Sequence, residues 1–204
     1  MHKYAALAVI ILFCIPGYTY GEQPIDVIRK SIDQAIGILK DPRYNDADQK
    51  KLQRQGLSEI LVQAFDFSEF SKRVLAGNRL KFTPQQRKEF TGLFAKFINI
   101  YYLTRLQNRY NDENVVLLKQ DFISHSKAVV QVLVLWRNQE IPVDIKMIRQ
   151  SETWKAYDVS ALGISAVGFY RAQFKEILQK KSPSQLIEQM KEKIKELEQR
   201  DRKD

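Results

Sequence analysis

Cysteine and histidine are almost missing from this chain of 204 residues: there is one cysteine, Cys14, and two histidines, His2 and His125. Cys14 and His2 both fall in an N-terminal stretch with the form of a cleavable export signal. Met1 to Tyr4 is a short positive segment, Ala5 to Pro16 is an apolar run, and Thr19 and Gly21 supply small residues for cleavage before Glu22. The apolar run is shorter than the roughly 20 residues a helix needs to span a bilayer. A lipoprotein signal places a small residue before its cysteine, and here that residue is Phe13, so a lipid anchor on Cys14 is not expected. Residues 1–21 are therefore expected to be removed, leaving 22–204 as one domain.

A mature chain without cysteine has no disulfide, no thiol nucleophile and no thiolate zinc site. With His125 as its one histidine it has no multi-histidine metal centre, and no Ser-His-Asp triad unless His125 serves in it. His125 lies between Ser124 and Ser126 at a strand start and reads as an exposed polar residue. Carboxylate pairs such as Asp66 and Glu69 fit helix capping at a corner better than acid–base work. Asp158, at a strand end before a turn, is expected to bond backbone or to pair with Arg171. No catalytic residue, metal or cofactor is expected, and the pattern favours binding over catalysis.

Charge of one sign is in short supply. There are 24 acidic residues against 33 lysines and arginines, and loss of Lys3 with the signal leaves 32 basic residues and a net +8. Such a balance favours anionic partners: lipid headgroups or acidic protein surfaces. Nucleic acid is the other reading, and an exported protein would rarely meet it. Lys72, Arg73, Arg171 and Lys175 are the first choices for electrostatic docking.

What the chain does have is helical periodicity, then strand periodicity, then helices again. Pro24 to Leu39 spaces Ile25, Ile28, Ile32, Ile36 and Leu39 for one helix face. A second helix is expected over Gln49 to Ala64 and a short one, capped by Ser68, to about Leu75. Thr83-Pro84-Gln85-Gln86 has the form of a capping box with proline at the first helical position, opening a long helix to about Arg109. Val115–Lys119, Lys127–Arg137, Ile141–Arg149 and Thr153–Val159 read as a four-stranded antiparallel meander. Ser165 to Gln179 and Pro183 to about Gln199 close the chain as helices, and the Lys/Glu/Arg-rich tail after Lys191 reads as a solvated, fraying end. The fold class is α+β: helices wrapped around one face of a curved four-stranded antiparallel sheet.

The Phe65-Asp66-Phe67 corner, the Thr83 to Phe90 helix start, and the Trp154-Lys155-Ala156-Tyr157-Asp158-Val159 strand occur here in order. After that strand come Gly163-Ile164-Ser165 and a helix bearing Tyr170, Arg171 and Phe174. In these features, over about residues 24 to 197, the chain resembles the MlaC family of periplasmic phospholipid carriers, also described as toluene-tolerance proteins. It departs at Leu75-Ala76 and Arg79, where members often carry Leu-Gly and then tryptophan, and at Leu162-Gly163, where Glu-Gly is usual. The resemblance implies a soluble periplasmic monomer that takes phospholipid between an outer-membrane lipoprotein complex and an inner-membrane ABC transporter with its lipid-domain ring. Acyl chains would lie in an internal apolar cavity between sheet and helices, and the shuttling would maintain outer-membrane lipid asymmetry. An isoprenoid or hopanoid binder, or an adaptor module packed with its own side chains, are the other readings.

A lipid-facing wall would come from alternate strand positions and the inner sides of helices. The expected residues are Phe67, Phe70, Phe94, Ile98 and Tyr101 on helices, with Val132, Val134, Val143, Ile145, Met147, Tyr157 and Val159 on strands. Strand alternation leaves the opposite sheet face open, because a one-residue slip inverts the set.

Overall fold

A computed structural model describes residues 21–46, 49–137 and 139–201; the export signal read over residues 1–21, apart from Gly21, lies outside them. Four helices come first: α1 (Pro24–Lys40), α2 (Lys50–Ala64), α3 (Phe67–Leu75) and α4 (Pro84–Arg109). Strands β1 (Asn114–Ser124), β2 (Lys127–Trp136), β3 (Gln139–Gln150), β4 (Thr153–Ala161) and β5 (Ile164–Ser165) follow, then α5 (Ala166–Lys180) and α6 (Pro183–Asp201). No helix among the described residues is long and apolar enough to cross a membrane.

Local chemistry sets the helix ends. Thr83 Oγ1 accepts from the Gln86 N–H at 3.2 Å while the Gln86 side chain accepts from the Thr83 N–H at 2.9 Å, closing the expected capping box of α4. The cap of α3 is Asp66, whose carboxylate accepts from the Glu69 N–H at 2.9 Å, and not the expected Ser68, which lies inside the helix. The helix stops at Leu75, and Ala76 turns the chain at a φ of 46° into a short 3-10 segment over Ala76–Lys81. The charged end of α6 stays helical to Asp201 and is tied to α4 by ion pairs Lys191–Glu89 and Lys96–Glu198, at 2.9 and 2.8 Å. Leu186, Ile187, Met190 and Ile194 are the buried face of α6, and past Lys191 the helix is mostly exposed, as composition suggests, with Ile194 the buried residue of that stretch.

The sheet is an antiparallel meander in the order β1-β2-β3-β4-β5, one strand more than the sequence suggested. The added β5 has two residues, too few to leave a period-2 signal. β1 runs on to Ser124, with register shifts at Leu117/Lys119 and Phe122/Ser124 that break its alternation. A further shift leaves Tyr157 unpaired in β4, since Lys146 faces Asp158 while Met147 faces Ala156. Because of that extra residue, Trp154, Ala156, Val159 and Ala161 all share the face of Val130, Ile145 and Met147.

Two apolar clusters fill the interior. One covers the inner sheet face: Ala128, Val130, Val132, Met147 and Trp154 are buried with Ile28 of α1, and Ile25, Ile32, Val143 and Ile145 pack against them. The other is aromatic and helical: Phe67, Phe70, Phe90, Phe94, Tyr170 and Phe174 sit with Leu186, Ile187 and Met190. Phe94 is its hub, with ring centroids 5.0 Å from Phe70 and Tyr170 and 5.3 Å from Phe174. Offset and edge-on contacts of this kind are the favoured arrangements of aromatic quadrupoles.

Candidate functional site

A cavity of about 710 Å³ has walls drawn from both parts of the fold. Leu61 and Phe65 at the end of α2, Phe67 and Phe70 of α3, and Ile98, Tyr102, Leu103 and Leu106 of α4 form its helical side. Val159 and Ala161 of β4, Ile164 of β5, and Ala166, Phe169 and Tyr170 of α5 close the rest. Ile98, Tyr102 and Leu106 recur every fourth residue, the spacing that stacks side chains along one helix face. Phe90, Phe94 and Phe97 take the neighbouring face into the aromatic core.

Two junctions hold these walls. Where α2 meets α3, the Asp66 N–H donates to the Ala156 carbonyl at 2.7 Å, and Phe65 forms a parallel bridge with Ala156. Gln150 donates from its side chain to the Asp66 carboxylate, so one acid both caps α3 and holds it to the sheet. At the second junction Leu162 and Gly163, at φ 51° and 79°, form the tight turn between β4 and β5. Beside it the buried Asp158 accepts from the Val167 N–H at 3.0 Å, the Ser165 hydroxyl at 2.7 Å and Lys146 Nζ at 3.1 Å. Its cationic partner is thus Lys146 and not the expected Arg171, whose Nε donates to the Arg73 carbonyl instead. Ser165 Oγ in turn caps α5 by accepting from the Gly168 N–H at 3.0 Å.

The mouth is apolar and open. Ile164 is 67% exposed and Phe169 49%, an exposed pair at the edge of a cavity rather than scattered surface residues. Polar features are few. The hydroxyls of Tyr102 and Tyr170 are 3.1 Å apart, and burial pushes the Tyr170 phenol well above its usual range. Arg105 is the one charged side chain of the lining; it lies over the Tyr101 ring at 3.4 Å and donates to the Tyr101 carbonyl at 2.8 Å. A separate, smaller cavity of about 380 Å³, which shares Leu106 with the first, lies between α1 (Ile32, Ala35, Ile36, Leu39) and Val115, Val134 and Trp136 of the sheet.

Of the residues expected on a ligand wall, Phe67, Phe70, Ile98 and Val159 line the larger cavity and Val134 the smaller one. Phe94 is enclosed in the aromatic core, and Tyr101 stacks on Phe97 beneath Arg105. Val132, Val143, Ile145 and Met147 belong to the cluster under α1, and Tyr157 lies under the Arg73 guanidinium at 4.1 Å. The sequence reading did not select Tyr102, Leu106, Ala161 or Tyr170 for the wall, although Ile98 with Tyr102 and Leu106 was a readable i, i+4 ladder. Among the expected docking residues, Lys72 and Arg73 both pair with Glu69, at 3.2 and 2.7 Å.

Comparison with known proteins bears on this architecture directly: residues 29–192 match the profile of the MlaC protein family. The chain belongs to the MlaC family. A similar solved structure is that of a phospholipid-binding protein from Ralstonia solanacearum in complex with a phospholipid. It matches with a TM-score of 0.75 at 19% identity, over 86% of this chain and 99% of that one. At that identity the likeness is one of fold. No curated protein gives a significant sequence match. The MlaC fold is thus built here with an aromatic helical core on one side of the cavity and an α1-covered sheet on the other.

Proposed function

We propose that this protein is a periplasmic phospholipid carrier, exported by a signal cleaved between Gly21 and Glu22. Working as a monomer, it shuttles lipid between an outer-membrane lipoprotein complex and the lipid-domain ring of an inner-membrane ABC transporter, and so maintains lipid asymmetry of the outer membrane. The observation that carries this reading is the 710 Å³ cavity, apolar but for Arg105 and a few hydroxyls. That volume falls in the range of about 300–1,000 Å³ typical of small-molecule sites. Family membership supports it, as does the phospholipid bound by the Ralstonia protein.

Physical chemistry supplies the rationale. Two acyl chains of roughly 30 methylenes lose about 25 kcal/mol in water, at about 0.8 kcal/mol each. A surface groove cannot recover that, whereas a cavity with an apolar mouth can take the chains while leaving the headgroup outside. Arg105, at the exposed end of the lining, is placed to meet a lipid phosphate, and a guanidinium suits a phosphodiester through paired N–H donors. Phe67, Phe70, Ile98 and Val159 would line the acyl chains, while Val134 lies in the separate, smaller cavity. Hydrolysis is not part of this function. The Ser165 hydroxyl donates to Asp158 and has no histidine beside it, since His125 is in the β1–β2 turn.

Organic extraction and mass spectrometry of protein purified from the periplasm without detergent tests the reading. Co-purified phospholipid is expected. An isoprenoid in its place would redirect the function to that lipid class. A protein that carries no lipid and takes none from vesicles would overturn it.

A further inference from the structure

A neighbouring face of α3, bearing Ser68, Ser71, Lys72 and Leu75, borders a separate pocket of about 260 Å³ beside the stripe of Phe67 and Phe70. Four cations surround it: Lys72 of α3, Arg79 of the 3-10 segment, and Arg87 and Lys88 in the first turns of α4. No carboxylate lines it. Lys72 has a counter-ion in Glu69, 3.2 Å away, and Arg87 is oriented by donating from Nε to the Arg79 carbonyl at 3.1 Å. Arg79 and Lys88 make no ion pair among the described residues. Like charges crowded around one hollow repel unless an anion lies between them.

The same pocket contains an unmet hydrogen-bonding group. Ser71 is 2% exposed, lines the pocket, and its Oγ is buried with no hydrogen-bond partner. A buried hydroxyl left unpaired costs stability, and native proteins keep such groups where something else completes them. Thr91 adds a second hydroxyl to the lining. Guanidinium, ammonium and hydroxyl donors around a small hollow without acceptors of negative charge make a receptor for a tetrahedral oxoanion.

We propose that this pocket is a phosphate-binding site, separate from the acyl cavity and sharing α3 with it as a common wall. It takes a phosphate group between Arg79, Arg87 and Lys88, with Ser71 as a neutral donor. Two sources present that group: free phosphate in solution, or the phosphodiester headgroup of an anionic lipid in a membrane surface.

The test uses the full mature protein and two probes. Inorganic phosphate is titrated against chloride at equal ionic strength, followed by amide chemical shifts and melting temperature. In parallel, co-sedimentation is measured with phosphatidylglycerol vesicles and with phosphatidylcholine vesicles. Saturable binding of phosphate identifies the free ion as a sufficient ligand; binding of phosphatidylglycerol vesicles alone identifies the headgroup. In either case the paired substitution Arg79→Ala and Lys88→Ala should weaken the responding probe at least tenfold. Ser71→Ala should melt higher than the parent in phosphate-free buffer yet bind the probe more weakly, a split that a purely structural serine would not give. Absence of saturable binding by both probes, or affinity unchanged in either variant, overturns the proposal. Lipid content by extraction is followed alongside, so that failure of this site and failure of the carrier reading register separately.

Discussion

Replacing Asp158 with alanine should cost the fold about 4 kcal/mol and unseat the wall that β5 and α5 supply to the cavity. The buried carboxylate holds three donors: Val167 N–H at 3.0 Å, Ser165 Oγ at 2.7 Å and Lys146 Nζ at 3.1 Å. Without it the Val167 N–H, in a residue 6% exposed, is orphaned, at a cost of roughly 1–3 kcal/mol. The charge-assisted bond from Ser165 adds about 1.5 kcal/mol. Lys146 retains 39% side-chain exposure and can rehydrate, so its ion pair contributes no more than about 1 kcal/mol. For a domain of this size each kcal/mol moves the melting temperature by about 2–4 °C, so a fall of about 12 °C is expected. Calorimetry measures it, with urea unfolding as a second estimate. Asp158→Asn retains an acceptor for Val167 and should lose about half as much. Lys146→Ala should lose about 1 kcal/mol or less. Hydrogen exchange should quicken first at Ser165 to Gly168, the turn the carboxylate pins. An Asp158→Ala protein within 1 kcal/mol of the parent, or a Lys146→Ala protein as damaged as Asp158→Ala, would refute this account of the junction.

Ala161→Trp places an indole in the larger cavity from an exposed strand position, so it should reduce co-purified lipid several-fold while changing stability by only about 0.5 kcal/mol. Equal lipid content in extracts of the two proteins would move the ligand elsewhere. Burial keeps the Tyr170 phenol protonated beyond its ordinary value of 10.0, so the folded state holds a proton the unfolded chain releases, and stability should decline as pH rises past about 10. Tyr170→Phe loses the bond to Tyr102 at neutral pH but lacks this alkaline loss. Its melting curve should approach the parent's between about pH 9 and 11, and parallel curves would contradict the assignment.

Most of the element order was readable because strong local signals agree with the tertiary outcome. The capping box at Thr83 and the alternation of Val143, Ile145 and Met147 describe the same α4 and β3 that the fold contains. Where reading failed, the deciding interaction was distant or short. Asp66 outcompetes Ser68 as the α3 cap because Gln150, 84 residues away, also bonds it. The Lys/Glu/Arg tail of α6 is mostly exposed, as composition suggests, but composition alone does not reveal its ion pairs with Glu89 and Lys96 of α4. That these strand residues fall together on one face was legible, but alternation left open which face the helices cover and which end of it borders the cavity. The residues Val132, Val143, Ile145, Met147 and Val159 share one periodicity, and only the placement of α1 over the first four separates them from the fifth. The basic pocket had no sequence signature, since its cations come from three elements that meet only after folding.

The unpaired Tyr157 sets a rule of spelling for β4. The residues before it and those after it meet the same face of the sheet only because one position is inserted between them. Removing that position would send either Trp154 and Ala156 or Val159 and Ala161 to the other side, and with the latter pair Asp158 would leave the α5 junction. Side chains in this strand can therefore be exchanged one at a time with graded effect, whereas its length cannot drift by a single residue.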